Sequence, residues 1–315
     1  MLAALPATAS ASTAKVVIGD TCGADLACSK YGGGQPSPIV TYVASPGEAN
    51  RLTVTRDGRA LILADPAAAV AAEAPCRVLD AHTASCDGGK PTPLGADSVS
   101  VQLGDGDDAV TIAPGVRIVT SLFGQAGDDV LTGGDVDAVF DGGPGADRVD
   151  GRSARDVLSF TGRREGVTVD LAAGRTSDGD VLTGIETVWG GDGPDRLLGG
   201  RGADVITGGP GADVLRGRGG NDVLSGDVGA DVVDGGAGND TLSGDPVQGD
   251  GYYTPIIRLS RDVLRGGSGR DVILARDGRR DRVACGSGRD LAHIDKKDRV
   301  RACEKLRLRR YTSRR

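Results

Sequence analysis

The sequence predicts an all-β fold, a right-handed parallel β-roll (a β-solenoid) that carries a small N-terminal β cap region. Glycine supplies 52 of the 315 residues, whereas Phe, Trp and Tyr together make up only 3%. A chain with so few large side chains must either stay disordered or fold around a thin, repetitive aliphatic core. A nine-residue period in the second half of the chain favours the repetitive core.

Six blocks of nine residues follow one another without a gap from Gly190 to Ser243. Each block has glycine at positions 1 and 4, aspartate at position 6 and Leu, Ile or Val at position 8. Further copies begin at Gly142 and Gly266, and looser copies begin at Leu103 and Gly124. Glycine suits a tight turn, and the triplet around position 8 suits a short strand with one inward side chain. Two blocks therefore form one coil with two strands and two turns.

The inward side chains and the aspartates of successive coils are both expected to stack. The predicted core ladder consists of Leu197, Ile206, Leu215, Leu224, Val233 and Leu242. The predicted aspartate rows are Asp195, Asp213 and Asp231 on one side, and Asp204, Asp222 and Asp240 on the other. Carboxylates about 5 Å apart repel by roughly 3 kcal/mol at an effective dielectric of about 20. These rows oppose folding unless a cation lies between the coils.

Calcium is the cation that this arrangement predicts. Its bonds to oxygen, about 2.3–2.6 Å long, span half of the ~4.8 Å gap between stacked coils. Carboxylate and carbonyl oxygens are hard donors, which suit calcium rather than copper or zinc. The sequence therefore predicts several bound Ca²⁺ ions.

The blocks resemble the RTX (repeats-in-toxin, hemolysin-type) calcium-binding nonapeptide repeats of the actinobacterial secreted type, over residues 104–159 and 190–292. The resemblance implies that one turn supplies its aspartate and the carbonyl oxygens of positions 2 and 4. The turn one coil later then supplies its aspartate and the carbonyl oxygens of positions 1 and 3. The ligands implied in the main array are Gly191, Gly193 and Asp195 with Gly208, Pro210 and Asp213; Gly200, Gly202 and Asp204 with Gly217, Gly219 and Asp222; Gly209, Gly211 and Asp213 with Gly226, Val228 and Asp231; and Arg218, Gly220 and Asp222 with Gly235, Ala237 and Asp240.

The first array carries one implied site, and two departures from the pattern limit the assignment. That site joins Gln125, Gly127 and Asp129 with Gly142, Pro144 and Asp147. No ion is expected across Ala138, which replaces an aspartate. After Asp271 the spacing slips, so no site is assigned there.

The chain is expected to divide into eight segments, listed here in order. They are a signal-peptide remnant at 1–14, an N-terminal β cap with disulfides at 15–102, a first repeat array at 103–159, an irregular β-solenoid insert at 160–189, a main array at 190–245, a loop at 246–260, degenerate repeats with a disulfide-closed C-terminal cap at 261–304, and a basic tail at 305–315. The triplet Ala9–Ala11 resembles the end of a signal peptide. No stretch of about 18 apolar residues predicts a membrane span.

The six cysteines are close together in pairs, Cys22 with Cys28, Cys76 with Cys86 and Cys285 with Cys303. In a chain that carries signs of export, disulfides are expected rather than thiolate metal ligands. Six cysteines allow 15 pairings, so the local pairing is an interpretation of the spacing alone.

The predicted function is that of a secreted, non-enzymatic calcium-binding protein. The only histidines, His82 and His293, cannot form the H-E-x-x-H motif, and no G-x-S-x-G motif occurs. Residues 276–315 hold 15 Lys and Arg against 6 Asp and Glu, yet no aromatic residues interleave with these arginines as in nucleic-acid sites. Two alternatives remain open. One is an adhesin or cell-envelope attachment protein whose basic tail binds an anionic wall polymer or another extracellular protein. The other is a degenerate hydrolase.

Overall fold

A computed structural model describes residues 13–20, 38–74, 76–86, 98–245 and 261–308. Within these ranges the chain forms strands and turns and no helix, so none of them provides a helix able to cross a membrane. The predicted loop at 246–260 and the Cys22–Cys28 pair lie outside the described residues. The chain divides into two compact units, Met1–Ser153 and Ala154–Arg315.

The first unit contains the N-terminal cap region and the first repeats. Its strands are β1 (Thr13–Asp20), β2 (Pro38–Val43), β3 (Arg51–Asp57), β4 (Ala60–Ala64), β5 (Ala69–Ala72), β6 (Cys76–Asp80), β7 (Thr83–Cys86), β8 (Ser98–Gln102), β9 (Ala109–Ile112), β10 (Val119–Phe123), β11 (Val130–Thr132), β12 (Ala138–Asp141) and β13 (Arg148–Asp150).

In the first unit the strands form two sheets, ordered β5-β1-β2-β8-β10-β12 and β6-β7-β4-β3-β9-β11-β13. Strands β8 to β13 pair in parallel, as stacked coils require. The hairpins β1–β2 and β3–β4 are antiparallel and lie against this stack, where β2 pairs with β8 and β3 pairs with β9. The cap strands thus cover what would be unpaired sheet edges.

A buried polar network fixes the cap. The Tyr42 hydroxyl donates a 2.6 Å hydrogen bond to Oδ2 of Asp65 and lies 3.1 Å from Oδ1 of Asn50. The other Asp65 oxygen accepts the backbone amides of Arg51, Ala67 and Ala68. Both oxygens of this buried carboxylate are therefore hydrogen-bonded, as buried polar groups require.

The second unit contains the main repeat array and the C-terminal repeats. Its strands are β14 (Val157–Ser159), β15 (Thr168–Asp170), β16 (Arg175–Thr176), β17 (Val181–Thr183), β18 (Thr187–Trp189), β19 (Arg196–Leu198), β20 (Val205–Thr207), β21 (Val214–Gly219), β22 (Val223–Ser225), β23 (Val232–Ala237), β24 (Thr241–Ser243), β25 (Val263–Gly269), β26 (Val272–Ala275), β27 (Arg282–Gly288), β28 (Leu291–Ile294), β29 (Arg299–Arg301) and β30 (Lys305–Leu308).

In the second unit, one sheet runs β14-β18-β20-β22-β24-β26-β28-β30 and the other runs β17-β16-β15-β19-β21-β23-β25-β27-β29. From β18 onward, successive strands alternate between the two sheets and every neighbouring pair is parallel. Two strands and their turns therefore make one coil. This arrangement confirms the predicted all-β roll.

The predicted aliphatic ladder is confirmed. Leu197, Leu215 and Val233 stand in register in one sheet, and the partner ladder Ile206, Leu224 and Leu242 stands in the other. All six side chains are at most 1% exposed. One buried aliphatic side chain per strand, repeated along the stack, supplies the core that the aromatic-poor sequence requires.

The irregular segments keep the register of the ladder. Within residues 160–189, Val169 pairs with Leu197 and Val188 with Ile206, while β16 and β17 form an antiparallel extension. Val233 pairs with Leu264, so the ladder continues in β25, beyond residues 246–260. The register of the ladder is thus kept whatever the number of residues between its strands.

Both ends of the described chain contribute strands and disulfides. β1 begins at Thr13, so the last residues of the predicted leader are part of a paired strand, and Ala14 is buried. β30 pairs with β28, so the predicted tail begins as a strand. The structure contains the disulfides Cys76–Cys86 and Cys285–Cys303, which confirms two of the three predicted pairs.

Replacement of glycine by alanine at Gly220 is expected to lower the free energy of unfolding by about 2 kcal/mol or more. Gly220 has φ +124°, and a Cβ there would overlap the carbonyl oxygen of Gly202; non-glycine residues at positive φ cost about 1–2 kcal/mol before any clash. The matched control is Gly202→Ala, because Gly202 has an ordinary φ and no atom within 4 Å of its would-be Cβ. Chemical denaturation in calcium should rank the two variants; equal losses would contradict the close coil contact.

Candidate metal centre

The aspartate at position 6 of each block, here called the turn aspartate, is buried. In the six gapless blocks these side chains are at most 4% exposed, and Asp213 is fully buried. Each one directly precedes a three-residue strand segment whose middle side chain enters the core, so the turn must bring the carboxylate under the neighbouring coil. Buried carboxylates require partners or neutralisation.

One oxygen of each turn aspartate holds the coil before it. The backbone amide of Asp195 donates a 2.8 Å hydrogen bond to Oδ1 of Asp213, and the amide of Asp213 donates one of 2.9 Å to Oδ1 of Asp231. The other row repeats the bond at 2.9 Å, from Asp204 to Asp222 and from Asp222 to Asp240. The predicted stacking of the two aspartate rows is therefore present, and each stack is a continuous amide–carboxylate ladder.

The ladder continues where the spacing of the sequence is irregular. The further amide-to-carboxylate bonds run from Asp108 to Asp129, Asp129 to Asp147, Asp231 to Asp262, Asp262 to Asp281, Asp240 to Asp271 and Asp271 to Asp290. The steps between Asp262 and Asp281 and between Asp271 and Asp290 are 19 residues long instead of 18. Because of the extra residue, a fixed period of 18 residues does not predict this part of the ladder.

The ends of the ladder follow from its chemistry. The first residue of a row needs only a backbone amide. The amide of Asn50 donates to Oδ1 of Asp108, and the amide of Val167 donates to Oδ1 of Asp195. At the acceptor end, Oδ1 of Asp298 takes the amide of Asp281. In the other row, Oε2 of Glu304 takes the amide of Asp290.

The second oxygen of most turn aspartates has no hydrogen-bond partner. These buried, unpartnered Oδ2 atoms belong to Asp108, Asp129, Asp213, Asp222, Asp231, Asp240, Asp271 and Asp290. At the start of the main array, Oδ2 of Asp195 and Asp204 instead accepts the amide of Gly191 and Gly200, at 2.7 and 2.6 Å. A row of buried anionic oxygens without donors indicates a bound cation.

In most of these turns, Oδ2 shares a small space with a carbonyl oxygen of the next coil. A Cβ built on Gly199 would lie 2.5 Å from Oδ2 of Asp204 and 2.6 Å from the carbonyl oxygen of Gly217. The same space, beside the glycine at position 1, exists in all five predicted sites. The oxygen pairs are Asp195 with Gly208, Asp204 with Gly217, Asp213 with Gly226, Asp222 with Gly235, and Asp129 with Gly142.

The remaining predicted ligands divide into two groups. The carbonyl oxygens of positions 2 and 4 point towards the next coil: a Cβ on Gly209 or Gly211 would lie 2.5 Å from the carbonyl oxygen of Gly191 or Gly193. Three of the five predicted position-3 carbonyls behave differently, because each of them accepts a hydrogen bond from the position-4 amide of the coil before. These bonds run from Gly211 to Val228, Gly220 to Ala237 and Gly127 to Pro144. A carbonyl oxygen has two lone pairs, so each keeps one for a metal.

In most turns, position 2 has a left-handed backbone even where it is not glycine. Gln125, Arg218 and Asp227 have φ values of 73°, 71° and 73°. The Arg218 side chain forms two 2.7 Å bonds with the Asp170 carboxylate and donates one of 2.9 Å to the carbonyl oxygen of Gly199. Only the carbonyl oxygen of Arg218 is therefore available to an ion between the coils.

Burial raises the pKa of the turn aspartates. The pKa of Asp129, Asp213 and Asp231 rises from 3.8 to about 7, chiefly through burial, and carboxylates in neighbouring turns add to the rise. The pKa of Asp222 and Asp271 rises to about 6 for the same reason. The roll thus places groups that prefer to be neutral where only a proton or a cation can stabilise them.

The donor set fits calcium. Within the described ranges no three His, Cys, Asp or Glu side chains form a metal-holding group. Each site must therefore combine the carboxylates of two stacked turns with backbone carbonyls. Such an all-oxygen set of six or more donors is what calcium takes, whereas zinc favours four nitrogen or sulfur ligands. The sequence did not reveal how the two oxygens of each carboxylate differ. Oδ1 accepts the neighbouring amide, whereas Oδ2 faces the space beside the position-1 glycine.

Comparison with known families agrees with this geometry. The family model of the RTX calcium-binding nonapeptide repeat (4 copies) matches residues 123–158, 181–215, 189–224, 207–242 and 260–291. These ranges contain all five predicted sites and also the C-terminal coils, to which the sequence assigned none. A search of curated proteins finds no match to this chain.

The stability of the roll should depend on pH in opposite directions with and without calcium. Without calcium, the folded state with Asp129, Asp213 and Asp231 at a pKa of about 7 holds protons that the unfolded chain, near 3.8, releases. Stability therefore falls as pH rises from about 4 to 7. Calcium binds the ionised form, so stability with calcium should rise over that window. The fraction of folded chain, followed by circular dichroism at pH 5 and 7.5 in chelator and in calcium, tests this; the same pH dependence in both conditions would contradict it.

Proposed function

We propose that this chain, which carries repeats matched by the RTX calcium-binding nonapeptide repeat family, is a secreted, non-enzymatic protein whose bound calcium ions drive its folding outside the cell. The observation that carries this proposal is a set of buried Oδ2 atoms that each face a carbonyl oxygen of the next coil and lack a donor, those of Asp129, Asp213, Asp222, Asp231, Asp240 and Asp271. Without a cation, these oxygens are desolvated and repel one another. Calcium between the coils would replace the lost hydration of these oxygens and turn their mutual repulsion into attraction to the ion.

The proposed ligands are the five sets implied by the repeat pattern, together with one further site in the C-terminal coils. That site joins Asp271 with Asp290 and the carbonyl oxygen of Cys285. A Cβ on Gly266 would meet both Oδ2 of Asp271 and this carbonyl, as in the regular turns.

Calcium linkage supports a role outside the cell. A site formed by two coils does not exist in the unfolded chain, so the binding free energy becomes folding free energy. Extracellular calcium sites work at about 10⁻⁴–10⁻³ M, far above the range of cytosolic sensors. The disulfides Cys76–Cys86 and Cys285–Cys303 agree with an oxidising compartment. The chain would remain loose before export and close on meeting calcium.

The proposal of a non-enzymatic role rests on how the candidate groups are used. The turn carboxylates accept the hydrogen bonds of the amide ladder and are the proposed calcium ligands. Nδ1 of His82 hydrogen-bonds to the carbonyl oxygen of Ala68 at 2.8 Å, which is a structural contact. His293 lies between Arg276 and Arg307, and burial together with these cations lowers its pKa. The attachment role of the basic tail stays a prediction, because residues 309–315 lie outside the described part of the chain.

A calcium titration followed by far-UV circular dichroism tests the proposal. We expect a cooperative gain of β signal with calcium and none with magnesium at equal concentration. The variant Asp213→Asn with Asp222→Asn keeps both Oδ1 acceptors but removes two anionic Oδ2 ligands, so its calcium midpoint should rise by about tenfold or more. Asp192→Asn with Asp178→Asn is an unsuitable control because Asp178 pairs with Arg163.

Asp192→Asn with Asp57→Asn is the matched control, since both carboxylates are exposed and lie outside the ladder. It removes the same charge and should leave the calcium midpoint unchanged. A chain that is fully β in chelator, or that responds equally to magnesium, would overturn calcium-driven folding. Equal shifts in the two double variants would show that net charge, rather than ligation, sets the response.

A further inference from the structure

A groove lies on the outer face of the second unit, over strands β25, β27 and β29. Its volume is about 410 Å³. Its outward-facing lining residues are Val263, Arg265, Arg282, Ala284, Arg299 and Arg301. The sheet register places Arg282 opposite Arg299, and Ala284 opposite Arg301, on adjacent strands. The groove therefore has a small apolar floor, Val263 and Ala284, with four arginines around it.

The positive charge of this groove is only partly offset by neighbouring acids. The ion pairs of the described residues include none of its four arginines. On the neighbouring strand β23, Asp234 stands opposite Arg265 at one end of the groove. Nearby acids such as Asp281 and Asp290 are buried at 2% and 1% exposure and take part in the amide ladder. The exposed charge at this end of the roll is thus mainly arginine.

This arrangement is unfavourable for the isolated fold. Adjacent strands are about 4.8 Å apart, and like charges directly opposite each other on neighbouring strands destabilise a sheet. Arg282 and Arg299 occupy such a pair of positions. An anion bound between them would convert the repulsion into two charge-assisted contacts.

We propose that this arginine groove binds a linear polymer of phosphate esters that carries no bases. The guanidinium group matches phosphate with two parallel hydrogen bonds, which lysine cannot do. The apolar floor suits the carbon linkers between phosphates. No aromatic side chain lines the groove, so nucleic-acid bases would find no stacking surface there. The inference goes beyond calcium binding and does not involve the basic tail.

Binding of fluorescently labelled poly(glycerol phosphate) to the full chain in calcium tests the proposal. We expect binding that weakens with salt, and a loss of about tenfold or more in Arg282→Gln with Arg299→Gln. The slope of log affinity against log salt should fall by about two, one for each phosphate contact removed. The matched control is Arg196→Gln with Arg216→Gln, which removes two exposed arginines from the same sheet outside the groove; its affinity should stay near that of the parent chain.

Three further measurements make the result decisive. The melting temperature of Arg282→Gln with Arg299→Gln should be equal to or higher than that of the parent chain, because a like-charge pair is removed. A chain ending at Leu308 should retain binding, and poly-uridylate should bind more weakly at equal phosphate concentration. The proposal is overturned if the parent chain does not bind, if both double variants lose affinity equally, if only the truncation abolishes binding, or if poly-uridylate binds as tightly.

Discussion

The hydrogen bond from the amide of one turn aspartate to Oδ1 of the next is the interaction on which the roll depends. It fixes the distance between coils at the turns, as the strand pairing does at the sheets. It also forces the carboxylate into the interior, because the acceptor must lie under the amide of the neighbouring coil. Everything unusual about the turns follows from that burial: the unpartnered Oδ2, the raised pKa and the need for a cation.

The same bond explains why the glycines cannot be replaced freely. At position 1, Oδ2 of the turn's own aspartate and a carbonyl oxygen of the next coil occupy the space where a Cβ would stand. At positions 2 and 4, the carbonyls of the coil before approach closely. In return, the core needs only one aliphatic side chain per strand, since strand pairing and the amide ladder together set the stacking. A chain with 3% aromatic residues can therefore still build an ordered fold.

Much of this architecture could be predicted from the sequence because it is periodic. The alternation of strands, the ladder from Leu197 to Leu242 and the two aspartate rows all follow from a repeat of nine. Two kinds of contact could not be predicted. They are contacts between coils of irregular length, and contacts between residues that occupy no repeated position. The step from Asp271 to Asp290 is one residue longer than the period. Only the strand register shows that the two aspartates are nevertheless stacked. The cap network of Tyr42, Asn50 and Asp65 joins three residues that no pattern relates. The opposition of Arg282 and Arg299 likewise appears only when irregular coils are stacked.

The amide ladder has a direction, and this bears on how such chains lengthen and shorten. Val167 can begin a row simply by possessing an amide, whereas the rows end on side chains that accept, Asp298 and Glu304. Duplication or loss of a whole coil inside the array leaves every amide with an acceptor, so the number of coils is free to drift between related genes. A truncation after any coil instead leaves its last aspartate amide without an acceptor. The C-terminal segment, closed by Cys285–Cys303, is therefore the part that a shortened descendant must keep.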